Sequence, residues 1–428
     1  MRLGGRLAGA IEVLEDIETR RRPVADALKD WGLSHRFAGS GDRAAIGNIV
    51  YDALRMKLSH GWLMDDDSAL ALGHAVMFRQ WGFTPETLAA ELDGDRFAPA
   101  SLPEESLQAF AVRQIEDAPL HVQGDIPEWA VASFERNFGD NWLNEAKALT
   151  ARPSLDLRAN TLKADRDKVV QALERSGAEA CRLAPQGVRV PAGKLSDRLP
   201  NVTAELSFAK GWFEVQDEGS QLVAGLVMAE EGEQILDYCA GGGGKTLALS
   251  AIMHNKGQVH AYDADRKRLS PIIERLKRAG TRNVQVHDSL SALKPFVGKF
   301  DRVLIDAPCT GTGTWRRRPD TKWRLTEKNL GERVAQQREV LEAAAPYVRP
   351  GGQLAYVTCS LLPQENQEQV MSFLADHPEF QLRDSLADFA RLTGQGEVKP
   401  LDAGGAGITL SPATTATDGF YFCRLQRR

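Results

Sequence analysis

Two cysteines stand where a parallel sheet would present reactive side chains. Cys309 follows the run FDRVLIDAP, and Cys359 follows the run QLAYVT. The carboxyl ends of neighbouring parallel strands open on one edge of a sheet, so both thiols can reach a single pocket. A lone cysteine is usually a small buried apolar residue. Two thiols at strand ends, with Asp306 three residues before one of them, instead favour covalent catalysis.

Two thiols and a carboxylate suit methylation of cytosine at C5. That carbon is too weakly nucleophilic to accept a methyl group unaided, and a thiolate that adds to C6 turns the ring into an enamine-like nucleophile. An acid near N3 balances the developing charge, and a base must then remove the C5 proton so that the thiol can leave. Cys309, Cys359 and Asp306 can divide these tasks, but their spacing does not decide which thiol attacks.

A glycine-rich turn, CAGGGGKT, begins at Cys239 between a predicted strand and a predicted helix. It is not a P-loop, because G-x-x-x-x-G-K-[ST] needs a glycine six residues before Lys245, where Cys239 stands. It also fails the dinucleotide pattern G-x-G-x-x-G, because a match starting at Gly241 and Gly243 ends at Thr246. A turn without side chains lets a ligand approach the backbone and the helix N-terminal amides, so the sequence predicts a ligand site here.

Acidic residues end the next three predicted strands, at Asp263, Asp288 and Asp306. A carboxylate at the second strand end can bind both hydroxyls of a ribose. The alternative is that these residues only cap helices. Acids in place of a lysine cluster suit a ligand that carries ribose, adenine and an amino-acid end but no phosphate. We therefore expect S-adenosylmethionine as the cofactor.

A basic segment follows Cys309 and carries five cations, one acid and two tryptophans between Trp315 and Arg324. Cations bind phosphates, and aromatic faces stack on unpaired bases. The alternative is a solvated basic loop, but the position just after Cys309 favours contact with RNA. A target base must be unstacked to reach the thiols, so single-stranded or loop RNA is the expected substrate.

Three domains are predicted to position these residues. Residues 1–148 have apolar residues at three- and four-residue spacing and are expected to be all-helical. Residues 149–210 alternate strand-like and helical stretches and are expected to form a small α+β subdomain. In residues 211–428 strands alternate with helices, which predicts an α/β, Rossmann-like domain with a mostly parallel, doubly wound sheet.

Composition narrows the functional classes further. The chain has 428 residues, 43% of them hydrophobic, which excludes global disorder. The net charge of −5 argues against a basic nucleic-acid coat, but residues 1–150 carry −9 and residues 151–428 carry +4. Five widely spaced cysteines fit neither a zinc site nor a C-x-x-C motif. We expect a cytoplasmic monomer without a metal, a signal peptide or a membrane span.

The chain resembles the RsmB/Sun (Fmu) family of RNA cytosine-C5 methyltransferases over about residues 150–428. The resemblance rests on ordered motifs at the expected strand ends: LRANTLKAD (157–165), VQDEGSQL (215–222), DYCAGGGGKT (237–246), AYDADRKRL (261–269), DAPCTGTGTWRRRPD (306–320), TCSLLPQEN (358–366) and DGFYFCRL (418–425).

The resemblance implies a role for each matching residue. Cys359 is implied to be the nucleophile, Cys309 to assist product release, and Asp306 to steady the cytosine and the cofactor. The implied cofactor-binding residues are Cys239, Ala240, Gly241, Gly242, Gly243, Gly244, Lys245, Asp263, Arg268, Asp288 and Asp306. The implied or predicted RNA-binding residues are Arg158, Asn160, Lys163, Trp315, Arg316, Arg317, Arg318, Lys322, Trp323 and Arg324.

These motifs do not decide which thiol attacks, how the cofactor turn behaves or which RNA is the substrate. DNA cytosine methyltransferases attack with the cysteine of a Pro-Cys pair, which here would be Cys309, whereas the RNA family uses the Thr-Cys-Ser cysteine. The family turn commonly reads C-A-A-P-G-G-K-T, and the loss of its proline predicts a less preorganised cofactor turn. The expected substrate is small-subunit ribosomal RNA. The alternatives are the same chemistry on transfer RNA and a non-catalytic RNA-binding or ribosome assembly factor.

The N-terminal region resembles the NusB-like domain of bacterial members, through LAGAIEVLEDI and GDRAAIGNIVYDALR. Such domains often bind RNA, but the charge of −9 makes a broad phosphate footprint doubtful. Arg20, Arg21, Arg22 and Arg43 are the candidates for a local basic patch. Protein binding, or docking on the rest of the chain, is the alternative role.

Overall fold

The structure is a computed structural model that describes residues 1–394 and 396–428. The chain forms two compact units. We call them the helical unit (Met1–Pro153, Ala192–Leu199 and Thr314–Leu325) and the sheet unit (Ser154–Pro191, Pro200–Gly313 and Thr326–Arg428). The three predicted domains stay a prediction, and residues predicted to form the small subdomain lie mainly in the sheet unit.

The α-helices, in chain order, are α1 (Leu3–Arg20), α2 (Val24–Ser34), α3 (Ser40–Arg55), α4 (Lys57–Met64), α5 (Ala69–Arg79), α6 (Pro85–Leu92), α7 (Glu104–Val112), α8 (Leu120–Gln123), α9 (Val131–Phe138), α10 (Trp142–Ala148), α11 (Arg166–Ala172), α12 (Leu206–Ala209), α13 (Glu218–Gly225), α14 (Gly244–Ile252), α15 (Arg266–Leu269), α16 (Ile272–Ala279), α17 (Leu290–Leu293), α18 (Pro319–Arg324), α19 (Glu327–Ala344), α20 (Gln367–Asp376), α21 (Ser385–Thr393) and α22 (Pro412–Thr415).

The strands are β1 (Leu155–Ala159), β2 (Glu179–Ala180), β3 (Gly187–Val190), β4 (Phe213–Val215), β5 (Gln234–Asp237), β6 (Gln258–Tyr262), β7 (Val284–His287), β8 (Phe300–Asp306), β9 (Val348–Thr358), β10 (Phe380–Leu382), β11 (Leu401–Asp402), β12 (Ile408–Leu410) and β13 (Phe420–Arg427).

The helical unit is held together by the apolar faces of its first helices. Leu7, Ile11 and Leu14 recur at the spacing of one helix face, and all three are buried in α1. They belong to one apolar cluster with Ile46 and Ile49 of α3. The helical character predicted for the N-terminal region is confirmed.

Two segments that are distant in sequence also pack into the helical unit. Asn48 and Arg152 donate hydrogen bonds to backbone carbonyls of the segment Ala192–Leu199. The second segment, Thr314–Leu325, contains α18 and lies between β8 and α19 in the chain. Neither placement is visible in the sequence, because both depend on contacts between residues more than 40 positions apart.

A small antiparallel sheet, in the order β2-β3-β1-β4, opens the sheet unit. Leu157 and Ala159 of β1 are buried in its own apolar cluster, together with Val188 of β3 and Phe213 of β4. This cluster gives the small sheet a separate core within the unit. Strand-like stretches are expected within residues 149–210, and β1 and β3 are strands there.

Five parallel strands form one side of the large sheet, in the order β7-β6-β5-β8-β9. The chain moves from β5 through β6 to β7 in one direction and then returns to β8 and β9 on the other side of β5. In open parallel sheets, ligands bind beyond the carboxyl ends of the strands at such a reversal. The predicted mostly parallel, Rossmann-like fold class is confirmed.

An antiparallel extension continues the large sheet beyond β9. β13 pairs with β9, and β12, β11 and β10 complete this side. The central strands are buried on both faces, as strands covered by helices on either side must be. Along β9, Leu354 and Tyr356 enter one apolar cluster, while Ala355 and Val357 enter another.

None of the helices within residues 1–394 and 396–428 combines the length and the apolar character that a membrane crossing requires. Within the same residues, no three His, Cys, Asp or Glu side chains are grouped so that they could hold a metal ion.

Candidate active site

The two strand-end cysteines meet in the structure. β8 and β9 are parallel neighbours, with Asp306 in register with Val357. Cys309 follows β8 and Cys359 follows β9, and their Sγ atoms lie 3.3 Å apart. Both residues are partly exposed and neither forms a disulfide. The pair is therefore open to a substrate and chemically free to act.

Glu365 joins the two cysteine loops. Its carboxylate accepts hydrogen bonds from the backbone N–H of Thr310, at 2.8 Å, and from the Thr310 hydroxyl. Gln337 of α19 donates to the same carboxylate at 2.9 Å and to the carbonyl of Pro308 at 2.9 Å. Glu365 is fully buried, and burial raises the pKa of its carboxyl. Glu365 and Gln337 together therefore hold the residues on both sides of Cys309.

The loop that carries Cys359 is held by hydroxyls and one amide. Thr358 donates to Asn366 at 2.6 Å, and Asn366 donates to the carbonyl of Ser360 at 2.9 Å. The Cys359 carbonyl accepts the N–H of Gly313 at 3.0 Å. All of these partners are buried except for the cysteine. The Cys359 thiol is thus presented on a rigid loop, as a nucleophile requires.

The thiol of Cys309 holds its proton strongly. Its hydrogen bond with Cys359, followed by burial, raises the pKa of the Cys309 thiol well above its usual value. At neutral pH Cys309 is therefore a thiol that can donate a proton toward the Cys359 sulfur. One sulfur can act as the nucleophile while the other carries the proton.

The glycine turn places bare backbone at the carboxyl end of β5. Gly241 and Gly243 have φ of +50° and +82°, in the left-handed region that favours glycine. A Cβ at Gly243 would lie 2.4 Å from Cγ1 of Ile272. The last residue of the turn, Gly244, begins α14, and its carbonyl accepts a hydrogen bond from Arg158 at 2.9 Å. The turn is thus fixed by packing and by one guanidinium.

We expect Gly243→Ala to lower the affinity for S-adenosylmethionine at least about tenfold. A left-handed alanine costs about 1–2 kcal/mol, and its Cβ would also displace Ile272. Titration calorimetry measures the effect. Gly232→Ala is the matched control, because Gly232 also has a positive φ, +89°, but precedes β5 outside the turn, and a Cβ there has open space. Equal affinities of the two variants would contradict a role for this turn.

Asp263 and Asp288 end the next two parallel strands, in different environments. Asp263 is buried and accepts the N–H groups of Gly241 and Asp265, at 2.9 and 2.8 Å. It thereby ties the glycine turn to the end of β6, and each oxygen keeps a lone pair for a further donor. Arg268 stands 3.9 Å from the same carboxylate. Asp288 is exposed and lies 3.5 Å from Arg266.

A lysine and two further carboxylates complete the edge of the sheet. Lys245, at the start of α14, forms an ion pair with Asp306 at 2.7 Å. Asp237, the last residue of β5, is fully buried and accepts the Thr246 hydroxyl through Oδ2, while Oδ1 has no partner in the part of the chain that the structure describes. Burial raises the pKa of Asp237 to about 7. A protonated Asp237 can donate a hydrogen bond at neutral pH.

Asp237→Asn is expected to be more stable than the natural chain at pH 8 and to lose most of that advantage at pH 4. The pKa of Asp237 is higher in the folded chain than in the unfolded chain, so ionisation costs stability as pH rises from about 4 to 7. The difference has an upper bound of about 4 kcal/mol. Urea unfolding at both pH values measures it, and a difference independent of pH would contradict the assignment.

Three candidate RNA contacts before the catalytic motifs divide into buried and exposed residues. Arg158 donates to Gln216 and to the cofactor turn, and burial lowers its pKa to about 10. Asn160 is buried and donates to the carbonyls of Gly211 and Ala279, both at 2.8 Å. These two residues hold the small sheet against the large sheet, which corrects the expectation that they contact RNA. Lys163 is exposed and remains a candidate.

The tryptophan-bearing segment is also partly internal. Trp315 has no exposed surface and stacks against Phe134, with ring centroids 6.1 Å apart. Lys322 is 1% exposed, and its Nζ donates to the carbonyls of Arg55 and Asp125 at 3.0 and 2.6 Å. Burial lowers the pKa of Lys322 to about 8. Trp315 and Lys322 are therefore packing residues, which corrects their assignment to RNA.

The remaining members of the segment differ in exposure. Trp323 is partly buried, and its indole N–H donates to the carbonyl of Leu54 at 2.7 Å. Arg316 is buried. Both are consequently poor candidates for stacking on a base or binding a phosphate. Arg317 is partly exposed, and Arg318 and Arg324 are exposed. Arg324 pairs with Asp320 at 2.6 Å.

Arg21 is exposed, whereas the other three N-terminal arginines considered for a basic patch have other partners. Arg20 pairs with Asp16 at 3.1 Å, and Arg22 pairs with Asp30 at 2.5 Å. Arg43 donates to the carbonyl of Ala38 at 3.0 Å. The pairs at Arg20 and Arg22 neutralise much of their charge, so a patch of the predicted kind is weak.

Sequence reasoning did not assign Asp237, Gln337 or Glu365 to the site. Asp237 had a usable signal, since it ends the first parallel strand directly before the glycine turn. Glu365 lies within the quoted TCSLLPQEN motif, but its function depends on Thr310, 55 residues away. Gln337 had no signal, because it stands in the middle of a polar helix.

Two family models match this chain. A model described as 16S rRNA methyltransferase RsmB/F matches residues 224–426. A second, described as the ferredoxin-like domain of RsmF/B-like methyltransferases, matches residues 126–194. The first match contains both cysteines and the glycine turn.

Two curated relatives carry corresponding names. The probable ribosomal RNA small subunit methyltransferase B of Synechocystis is 34% identical over 321 residues, which are 73% of this chain and 69% of the relative. The ribosomal RNA small subunit methyltransferase B of Pectobacterium atrosepticum is 34% identical over 70% of this chain and 66% of the relative. The matched region thus spans about two thirds of each relative.

Solved structures share the fold. PH0851 is 25% identical with a TM-score of 0.74, and the match covers 100% of this chain and 99% of that one. NSun6 from Pyrococcus horikoshii with SFG has a TM-score of 0.60 at 23% identity and covers 70% of this chain and 98% of that one. The second likeness shows the fold alone.

Proposed function

Because this chain belongs to the RsmB/F family of 16S rRNA methyltransferases, we propose that it methylates C5 of a cytosine in 16S ribosomal RNA with S-adenosylmethionine. The observation that carries the proposal is the pair of sulfurs 3.3 Å apart at the ends of β8 and β9. A module that only binds RNA needs neither thiol, and methylation of a more nucleophilic atom needs no covalent catalyst.

The residues at the carboxyl ends of the parallel strands, where the strand order reverses, suit S-adenosylmethionine. Gly241 leaves bare backbone facing Asp263 and Arg268, where a Cβ would come within 3.9 and 3.4 Å of their side chains. The buried Oδ1 of Asp237 has no partner among the described residues, so it is left for a polar group of the ligand. The residues that would hold the cofactor are the glycine turn, Asp263, Asp288 and Asp306. When bound, S-adenosylmethionine supplies an electrophilic methyl group.

Cys359 is the proposed nucleophile, and the hydrogen bond between the two thiols gives a physical reason. Cys309 retains its proton because of its hydrogen bond to Cys359, so Cys309 can donate toward a Cys359 thiolate. The thiolate then forms a bond to C6 of cytosine, and C5 becomes nucleophilic. An acid must balance the charge at N3, and Asp306 is the last residue of β8, three residues before Cys309.

The bond to C6 also changes Cys309. The sulfur of Cys359 is then a neutral thioether, so the charge and hydrogen bond that raised the pKa of Cys309 are removed. Cys309 can ionise and accept the C5 proton of the methylated ring. Loss of that proton restores the double bond between C5 and C6 and releases Cys359. The two thiols thus act in a fixed order.

The experiment that tests the proposal is bisulfite sequencing of total RNA from strains with and without the gene. We expect one 16S cytosine to lose protection when the gene is absent, and to regain it when the natural gene is restored. Loss confined to transfer RNA would move the same chemistry to that substrate. No lost methylcytosine in any RNA would overturn the proposal and favour a non-catalytic assembly factor.

A further inference from the structure

The helical unit contains an open cleft of about 310 Å³ that the active site does not use. Its lining includes the aromatic ring of Tyr51 and the guanidinium groups of Arg55, Arg152 and Arg317. Asn48 and Asp197 also line it. All of these residues lie in the helical unit, including Arg317, which reaches it through the segment Thr314–Leu325. The cleft is thus built from three regions of the chain.

One helix face supplies the floor of the cleft. Asn48, Tyr51 and Arg55 follow at three- and four-residue spacing in α3, so they share a side of the helix. The guanidinium of Arg55 lies 5.5 Å from the centroid of the Tyr51 ring. Tyr51 is partly exposed, which leaves part of its surface accessible. A planar group could stack there, supported by a cation already in place.

Hydrogen bonds fix the rim of the cleft. Asn48 donates to the carbonyls of Leu195 and Asp197, at 2.8 and 3.1 Å. Arg152 donates to the carbonyls of Gly193 and Leu195, at 3.3 and 2.9 Å. The segment Ala192–Leu199 is therefore attached to the helices by side chains that themselves line the cleft.

The local charge of the cleft opposes that of its surroundings. The carboxylate of Asp52 is shared by Arg55 and Arg152, so these three side chains carry a net positive charge. Arg317 lines the same cleft. Arg55 and Arg318 act electrostatically on Tyr51, and Asp320, which pairs with Arg324, acts on it in the opposite sense. Asp197 is the acidic residue on the rim. Residues 1–150 carry a net charge of −9, so this is a local positive site in an acidic unit.

We propose that this cleft binds a phosphate and the adjoining unpaired base of the substrate RNA. The inference rests on the proposed function and assigns the helical unit a direct part in substrate binding. Arg55 and Arg152 are engaged by Asp52, so the positive charge that attracts a phosphate is that of Arg317 and Arg318. The Tyr51 face suits an unstacked base. The acidic surroundings restrict the contact to one or two phosphates. The cleft therefore holds a short single-stranded stretch and leaves duplex RNA unbound.

The test measures affinity for deproteinised 16S rRNA from a strain without the gene, by filter binding at 50 to 200 mM salt. The full chain carries Arg317→Gln with Arg318→Gln. We expect roughly tenfold weaker binding, with a salt slope smaller by about 1.4, because about 0.7 is lost per phosphate contact on single strands. Tyr51→Leu keeps an apolar side chain and should weaken binding about fivefold or more without changing the slope.

The matched control is Arg36→Gln with Arg96→Gln, which removes the same charge from exposed positions of the same unit. The control should bind like the natural chain. The proposal is overturned if control and cleft variants have equal affinities and slopes, or if the natural chain does not bind this RNA. Inorganic phosphate that binds the natural chain at millimolar concentration without displacing RNA would show an anion site unrelated to RNA. That result also overturns the proposal.

These outcomes are separable from those of the proposed function. If all variants still methylate RNA and bind it with unchanged affinity, the cleft proposal is overturned and the proposed enzymatic function stands. If the cleft variants lose RNA affinity but the natural chain makes no methylcytosine, the proposed activity is overturned and the cleft proposal stands.

Discussion

Cys359→Ala is expected to abolish methyl transfer to 16S rRNA, with a loss on the order of 10⁴-fold or more. A residue that forms the covalent bond acts in every turnover, and its removal leaves only binding and orientation. Alanine cannot attack C6, so C5 stays a poor nucleophile even when RNA and cofactor are both bound. The measurement is transfer of a radioactive methyl group to 16S rRNA from a strain that lacks the gene.

The matched control is Cys181→Ala. Cys181 is a buried cysteine beside the small antiparallel sheet, so its loss tests the general effect of removing a thiol. We expect this control to keep activity within about threefold, the range of a modest packing change away from the site. Affinity for S-adenosylmethionine should be unchanged in Cys359→Ala. Substantial activity of Cys359→Ala would remove the nucleophile assignment, and with it the proposed order of the two thiols.

The position of the site could be predicted because it depends on local patterns. Each parallel strand is a short apolar run, and the residue that ends it is visible in the sequence, as Asp237, Asp263 and Asp306 show. The parallel arrangement of β8 and β9 then brings Cys309 and Cys359 together without further information. A repeated strand–helix pattern therefore locates the residues of one sheet edge.

The fate of the basic segment could not be predicted in the same way. Trp315 and Lys322 have the composition of an RNA-binding loop, yet both are buried in the helical unit. Lys322 donates to the carbonyl of Arg55, 267 positions away in the sequence. Nothing in the local pattern reports such a partner, and a lysine with a carbonyl to bind is stable where a lysine without one is not. Burial of Trp315 and Lys322 therefore depends on tertiary contacts.

The same distinction explains Arg158 and Glu365. Both lie in motifs that the sequence identified, but their side chains are turned inward to backbone groups of other motifs. Arg158 binds the carbonyl of Gly244, and Glu365 binds the N–H of Thr310. A motif in the sequence marks residues that belong to the site. It does not distinguish those that contact a ligand from those that hold the loops that do.

Cys309→Ala is expected to have the opposite effect on the intermediate. If Cys309 removes the C5 proton, its loss leaves attack and methyl transfer possible but blocks release of Cys359 from C6. The variant should make about one methyl group per enzyme and then stop, with the RNA covalently attached. Denaturing gel electrophoresis with labelled RNA measures the adduct, which should survive heat and detergent and disappear on digestion with ribonuclease.

The double variant separates the two thiols. Cys309→Ala with Cys359→Ala should form no adduct, because the attacking sulfur is missing. An adduct in Cys359→Ala, together with none in Cys309→Ala, would reverse the roles and assign attack to the Pro-Cys cysteine. The 3.3 Å separation of the sulfurs makes this reversal geometrically possible, whereas the raised pKa of Cys309 argues against it. A thiol that keeps its proton at neutral pH is a poor first nucleophile, and it becomes a base only after its neighbour has lost its charge to the substrate.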